Sequence, residues 1–115
     1  MRVLVCGSRH WYDPKPIYRE LSAFPPDTVV MHGGCQGADT HAGIGAKALG
    51  MRVEVYPARW HLYGLAAGPL RNAEMLRQKP DLVLAFHDDL RKSRGTLDMV
   101  RRAQEAGVPV RVVTQ

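Results

Sequence analysis

Apolar positions along the chain recur with two periodicities, which alternate from the N-terminus to the C-terminus. Short apolar runs bounded by glycine, proline or aspartate predict five β-strands, of which the first is typical of a buried strand and the third alternates. The strand segments are RVLVCG at 2–7, DTVVMHGG at 27–34, MRVEVYP at 51–57, DLVLAF at 81–86 and VPVRVVTQ at 108–115. Apolar residues three or four positions apart predict four helices between these strands. The helical segments are DPKPIYRELSAF at 13–24, ADTHAGIGAKALG at 38–50, GPLRNAEMLRQ at 68–78 and GTLDMVRRAQEAG at 95–107.

The helical spacing also predicts which side chains turn toward the core. In the third predicted helix these are Leu70, Ala73 and Leu76, which leaves Arg71 and Asn72 on the exposed face. The other inward residues are Ile17, Leu21 and Phe24 in the first helix and Leu97, Val100 and Ala103 in the last. Residues 58–68 are predicted to be one long irregular connection, and connections of that length are often functional.

Strands that alternate with helices predict an α/β fold with a parallel sheet covered on both faces. Right-handed crossovers favour a doubly wound, Rossmann-like arrangement of five strands in the order 3-2-1-4-5. We expect residues 1–115 to form a single domain, because the chain is long enough for one core and too short for two. The loops after strands 1, 2 and 4 then meet at one carboxyl edge, where open α/β sheets bind ligands.

Composition and charge narrow the range of partners. The formal net charge of +5 favours a phosphate-bearing partner, either a nucleotide or a nucleic acid, unless the scattered arginines are only a solvated surface. The two cysteines, Cys6 and Cys35, suit a reducing compartment and lack the spacing of a zinc site. No apolar run approaches the ~20 residues of a membrane span, and no signal-peptide pattern is present. We therefore expect a cytoplasmic protein with no membrane partner, no metal and no cofactor.

The segment GGCQGAD leads from the second predicted strand into a helix. Gly33, Gly34 and Gly37 allow backbone N–H groups and the helix N-terminus to face an anion such as a phosphate. The alternative is a tight turn that needs glycine only for its backbone dihedrals. Asp39, in the first helical turn, could accept hydrogen bonds from ribose hydroxyls or could simply stabilise the helix N-terminus.

The segment SRGTLD repeats this arrangement after the fourth predicted strand. Gly95 and Thr96 open a helix whose first N–H groups are free to bind phosphate, and either Ser93 or Thr96 could instead cap that helix. Arg94 could neutralise a phosphate or be solvated. Asp98 is explained most simply as a first-turn acid that pairs with an arginine one turn later.

The first predicted loop carries GSR, which gives it a glycine, a hydroxyl and a cation in Gly7, Ser8 and Arg9. Trp11 follows and could stack on a base, a contact worth ~1–3 kcal/mol, or could pack the end of a helix onto the sheet. The same two interpretations apply to three residues of the connection predicted to be irregular, Trp60, His61 and Tyr63.

Four motifs in order resemble the SLOG superfamily of Rossmann-like nucleotide-binding domains, in particular its YspA/YpsA-related branch. They are VCGSR at 5–9, HGGCQGAD at 32–39, AGPLRNAEML at 67–76 and SRGTLDMV at 93–100. The resemblance covers nearly the whole chain. It implies a single nucleotide-binding domain that assembles as a homo-oligomer.

Two types of SLOG protein imply more specific activities. The Lonely Guy type hydrolyses nucleoside 5′-monophosphates with an arginine, matched here by Arg71, and a glutamate that follows P-G-G-x-G-T. In this chain Met99 stands at the glutamate position, and Asp98 lies one residue before it. The DNA-processing-protein-A type binds single-stranded DNA and carries an R-N-R helix motif, matched here by Arg71 and Asn72 but with Ala73 in place of the second arginine.

The sequence therefore predicts that the domain binds, or senses, a nucleotide such as a nucleoside monophosphate or an ADP-ribose-like ligand. A phosphoribohydrolase, with Arg71 and Asp98 as its catalytic residues, and a single-stranded DNA-binding protein remain alternatives. The predicted ligand-binding residues are Gly7, Ser8, Arg9, Trp11, Gly33, Gly34, Gly37, Asp39, Asn72, Ser93, Gly95 and Thr96.

Overall fold

A computed structural model describes residues 1–115 as an α/β fold with five parallel strands. The strands are β1 (Arg2–Gly7), β2 (Val29–His32), β3 (Arg52–Val55), β4 (Leu82–Phe86) and β5 (Val110–Val113). The helices are α1 (Pro14–Ser22), α2 (Ala38–Ala48), α3 (Trp60–Tyr63), α4 (Ala67–Arg77) and α5 (Arg94–Glu105). Single 3₁₀ turns at Gly64–Ala66 and Leu90–Lys92 precede α4 and α5.

The strand order is β3-β2-β1-β4-β5, and all four pairings are parallel, which confirms the predicted Rossmann-like topology. β1 lies at the centre, where Leu4 is in register with Met31 of β2 and Val83 of β4. The carboxyl ends of β1, β2 and β4 are therefore neighbours. The loops that leave them lie side by side, as the order of the strands requires.

Alternating residues of the strands fill two cores, one on each face of the sheet. Val3 and Val5 of β1 face α1 and α2, whereas Leu4 and Cys6 face α4 and α5. Burial on both faces explains why the central strands are continuous apolar runs and do not alternate with polar residues.

The inward face of α4 differs from the prediction. Leu70 is 49% exposed, whereas the buried residues of this helix are Ala67, Gly68, Asn72 and Met75. The helix is rotated so that Gly68, Asn72 and Met75 face the interior in place of Leu70. The prediction that Arg71 and Asn72 lie on the solvent face is wrong, because their polar atoms are bonded to neighbouring segments, as described below.

The prediction that residues 58–68 form an irregular connection is wrong. Residues Trp60–Tyr63 form the short helix α3, a 3₁₀ turn follows, and α4 begins at Ala67. Pro69 is the third residue of α4, a place where its missing N–H costs no helical hydrogen bond.

Candidate functional site

The loop after β1 is pressed against the start of α2. Gly37, which precedes α2, has a φ of +76°, and a Cβ on it would collide with the carbonyl oxygen of Ser8. The N–H of Ala38 donates to that same oxygen over 3.0 Å. Gly7 also has no room for a side chain, since its Cβ would lie 2.8 Å from that of Ala38. Both glycines therefore allow two loops to pack closely.

The amides of the loop after β2 are bound by the chain itself. One carboxylate oxygen of Asp39, Oδ2, accepts the N–H groups of Gly33 over 3.0 Å and of Cys35 over 3.2 Å. The N–H of Gly34 donates to Nδ1 of His32 over 2.9 Å. The prediction that the amides of Gly33 and Gly34 hold a phosphate is therefore wrong, because an internal carboxylate and an imidazole already occupy them.

The burial of these two partners changes their proton affinities. Asp39 is 5% exposed, and burial raises the pKa of its carboxyl group to about 6, although the amides of Cys35 and Gly33 and the charge of Arg71 oppose that shift. Burial, with the positive charges of Lys47 and Arg71, lowers the pKa of His32. A neutral imidazole agrees with an Nδ1 atom that accepts a hydrogen bond.

Arg71 is half-buried and is fixed to two loops. Its Nη1 donates to the carbonyl oxygen of Gly33 over 2.9 Å and to that of Tyr56 over 3.3 Å. Its Nε donates to Oδ1 of Asn72 over 3.0 Å. A Cβ on Gly33 would collide with Nη1 of Arg71, so this glycine makes room for the guanidinium.

Asn72 links this guanidinium to the start of α5. Its side-chain amide donates to the carbonyl oxygen of Gly95 over 3.2 Å and to Oδ2 of Asp98 over 3.0 Å. The same oxygen of Asp98 accepts from Nε of Arg102 over 2.9 Å, which is the ion pair that the sequence predicts one turn later. Asn72, at 3% exposure, thus binds inside the protein and has no amide group left for a ligand.

The starts of α2 and α5 retain free backbone donors. Ser93 caps α5, because its Oγ accepts the N–H of Thr96 over 3.3 Å. The N–H groups of Arg94 and Gly95 have no acceptor in the chain, and neither have those of Asp39 and Thr40 at the start of α2. Helix α2 follows β2 and helix α5 follows β4, and β1 lies between these two strands in the sheet. The free donors therefore lie at one edge of the sheet.

Trp11 lies in the core and is not available to stack on a base. The indole is 2% exposed, meets Phe86 edge-on with ring centroids 5.5 Å apart, and donates from Nε1 to the carbonyl oxygen of Asp13. This corrects the stacking interpretation. In the same loop, Tyr12 is 78% exposed and Arg9 is exposed with no side-chain partner.

His32 was not identified from the sequence as a residue that holds the loop after β2, although a recurring sequence feature points to it. A histidine at the end of a strand, two residues before an amide that must be satisfied, recurs after β4, where Nδ1 of His87 accepts the N–H of Asp89 over 2.9 Å. Each histidine closes the turn at its strand end.

No three His, Cys, Asp or Glu side chains are grouped so that they could hold a metal ion. None of the helices has the length and apolar character needed to span a membrane.

The fold and this edge of the sheet define a Rossmann-like α/β protein with glycine-rich turns and two helix N-termini where such folds bind ligands. Residues 1–63 match the family described as "YspA, cpYpsA-related SLOG family". The chain is also 41% identical over 118 residues to the "Gene 61 protein" of Mycobacterium phage D29, across 95% of this chain and 93% of that protein. The chain belongs to the YspA, cpYpsA-related SLOG family, as its motifs predicted. Membership indicates a small, nucleotide-related ligand that is bound or processed.

Proposed function

We propose that this protein binds a nucleotide or nucleotide derivative, such as a nucleoside monophosphate or an ADP-ribose-like molecule, at the carboxyl edge of β1. The observation that carries the proposal is the pair of helix N-termini on either side of β1, each with unpaired N–H groups. Such donors, together with the positive end of the helix dipole, favour a phosphate group. In a SLOG protein, a nucleotide is the natural source of that phosphate.

The residues that carry this binding differ in part from the predicted set. The N–H groups of Thr40 and Gly95 would bind phosphate oxygens, and the exposed guanidinium groups of Arg9 and Arg94 would supply charge. Asp39 would act indirectly, by holding the loop that precedes α2. These assignments make the protein a binding module in which most glycines serve packing.

Hydrolysis of a nucleotide is the weaker alternative. The carboxylate of Asp98 accepts hydrogen bonds from Asn72 and Arg102 through the same oxygen, so its charge is partly neutralised before any ligand arrives. Met99, at the position of the catalytic glutamate in Lonely Guy-type enzymes, is fully buried. Neither side chain is placed to stabilise an oxocarbenium-like centre without a rearrangement of α5.

The experiment is a thermal-shift and calorimetric comparison of nucleoside monophosphates, ADP-ribose, NAD, cyclic nucleotides and a short single-stranded oligonucleotide. A ligand that binds only the folded protein adds ~2.7 kcal/mol of stability at a hundredfold excess over its Kd. We expect one small nucleotide to raise the melting temperature without turnover. Chromatography of the mixture would detect a released base, which would favour the hydrolase instead.

The variants Arg9→Ala and Arg94→Ala should each weaken binding of that nucleotide about tenfold or more, because a charged hydrogen bond contributes roughly 1.5–3 kcal/mol. The matched control is Arg101→Ala, an exposed arginine two turns further along α5. Equal affinities for all three variants would reject the proposed site. A shift from the oligonucleotide alone, steeply reduced by salt, would indicate a single-stranded DNA-binding protein.

A further inference from the structure

An open groove of about 330 Å³ runs along α4 and adjoins the site described above through Arg71. We call it the α4 groove. Its polar lining consists of Arg59, Arg71, Glu74 and Arg77, and its apolar lining includes Tyr63 and Leu70. These residues come from the loop after β3, from α3 and from one face of α4, so the groove exists only in the folded chain.

The charges of the α4 groove are unbalanced. Three guanidinium groups face one carboxylate, and the side chains of Arg59 and Arg77 form no hydrogen bond or ion pair with the chain. Glu74 is three residues from both Arg71 and Arg77, a spacing that permits helical ion pairs, yet it pairs with neither. Like charges gathered without counter-charges repel one another, and a bound anion would relieve that repulsion.

The groove also offers an apolar surface to the same ligand, from Tyr63 of α3 and Leu70 of α4. Tyr63 and Leu70 are each about half exposed, so both side chains present apolar surface to a ligand in the groove. The volume is near the lower end of the ~300–1,000 Å³ that is typical of small-molecule pockets. A ligand of about the size of one ring with one acidic group fits these dimensions.

We propose that the α4 groove binds a small organic anion, in which a phosphate or a carboxylate is attached to a flat ring. Arg59 and Arg77 hold the anionic group and Tyr63 packs on the ring. Arg71 contributes charge only, since its Nη1 and Nε are already engaged. Glu74 competes with the ligand for the arginines. This site is independent of the nucleotide site, because neither of the arginines proposed to bind the nucleotide lines the groove.

The test is a titration of the full chain, followed by ¹H–¹⁵N NMR of the backbone and of the arginine Nε–H groups, with phenyl phosphate, benzoate and inorganic phosphate. We expect saturable shifts at Arg59, Tyr63 and Arg77 with one or both of the aromatic anions. Inorganic phosphate should bind more weakly, because it lacks the ring. The stronger of the two aromatic probes identifies the acidic group.

Variants that remove either a positive or a negative charge from the groove test whether the charges bind the anion. Arg59→Ala and Arg77→Ala should each lower the affinity for the aromatic anion about tenfold. Glu74→Gln should raise that affinity roughly threefold, because a competing charge is lost. Arg101→Ala is the control, and Arg9→Ala should leave the affinity unchanged even if it abolishes nucleotide binding. The altered residues of the groove and of the control are all exposed, so each variant should fold.

The proposal is overturned if neither aromatic anion gives saturable shifts, or if Arg77→Ala and Arg101→Ala behave alike. It is also overturned if Glu74→Gln weakens binding, because the carboxylate would then be a ligand contact. Tighter binding of a single-stranded oligonucleotide than of phenyl phosphate at the same residues would assign the groove to nucleic acid.

Discussion

The carboxylate of Asp39 takes two backbone amides that the glycine-rich loop would otherwise present to a ligand. Successive N–H groups that point to one place form an anion-binding concavity, and here the anion is supplied by the same chain a few residues later. The side chain stays buried because those hydrogen bonds, with Arg71 nearby, offset part of the cost of desolvating its charge.

The raised pKa of Asp39 predicts a pH dependence of stability. Its folded-state pKa of about 6 exceeds the ordinary value of 3.8, so between these values the folded protein binds more protons than the unfolded chain. The contribution of Asp39 to the free energy of unfolding therefore decreases as pH rises through that window, by ~1.4 kcal/mol for each pH unit between the two pKa values. Urea unfolding of the wild type and of Asp39→Asn from pH 4 to pH 7 measures this decrease.

The difference in free energy of unfolding, wild type minus Asp39→Asn, should become less favourable to the wild type across this range. A constant difference would contradict the assignment. His32, whose pKa is lowered, acts in the opposite direction, because its contribution is present above the ordinary histidine pKa and is lost as pH falls. The two effects are separable only through single variants, which is why the comparison uses Asp39→Asn.

Gly33 and Gly95 should respond in opposite ways to a single added methyl group. Gly33→Ala places a Cβ against the guanidinium of Arg71, so we expect a loss of roughly 1–3 kcal/mol of stability. Gly95→Ala meets nothing within 4 Å and lies in the first turn of a helix, so it should be neutral or stabilising by up to ~1 kcal/mol. Chemical unfolding of both variants checks the pair, and equal effects would contradict it.

The sequence identified the glycine motifs but not the task of each glycine. Gly33 is required by Arg71, which is 38 residues away along the chain, and Gly37 by the loop after β1. Such close approaches depend on tertiary packing, and a local sequence motif carries no information about contacts with distant residues. Trp11 shows the same limit, since only the position of Phe86 decides whether its ring is buried.

At the scale of elements, the central strands β1, β2 and β4 were predictable because burial on both faces makes their sequences continuously apolar. The edge strands β3 and β5 are only partly buried, and their sequences RVEV and VRVV include charged residues. The face of α4 was not predictable. Its apolar residues Leu70, Ala73 and Leu76 suggested one inward face. The structure buries the stripe Gly68, Asn72 and Met75, spaced four and three residues apart, and leaves Leu70 exposed while Leu76 packs at the margin of the core. A buried asparagine counts as polar in a periodicity argument, although its hydrogen bonds to α5 satisfy it.

Those bonds join α4 to α5, so Asn72→Leu should destabilise the protein more than loss of the neighbouring ion pair. The variant removes the two hydrogen bonds that Asn72 donates to α5, to the carbonyl oxygen of Gly95 and to Oδ2 of Asp98, and together these contribute roughly 1–3 kcal/mol. Arg102→Ala removes only a half-exposed i,i+4 pair with Asp98, which contributes about 0.3–0.5 kcal/mol. Thermal and chemical unfolding of both variants measure the contrast, and a larger effect from Arg102→Ala would refute it.

At the scale of the whole molecule, the position of the free amides follows from the topology. Parallel strands bring the starts of α2 and α5 to one edge of the sheet, and the strand order places β1 between them. That order was predictable from right-handed crossovers together with the usual Rossmann-type strand order. The α4 groove was not predictable, since Arg59 and Arg77 are separated by α3 and most of α4 in the sequence.

We also expect the protein to form a homo-oligomer, as the family resemblance implies. Each copy has a net charge of +5, so charge repulsion opposes assembly and added salt should strengthen it. Light scattering coupled to size exclusion at two salt concentrations would report a mass above the 12.8 kDa of one chain. A monomer mass at both salt concentrations and at high protein concentration would contradict this expectation.

The two tryptophans occupy opposite environments, one at 2% exposure in the core and the other, Trp60, at 54% beside the α4 groove. The fluorescence emission of an indole is shifted to shorter wavelength in an apolar interior and to longer wavelength in water. The two tryptophans therefore act as two intrinsic fluorescent reporters with different emission maxima. The short-wavelength emission of Trp11 reports loss of the fold, whereas the long-wavelength emission of Trp60 reports changes at α3. In the variant Trp60→Phe, only Trp11 remains, so the fluorescence would record unfolding alone.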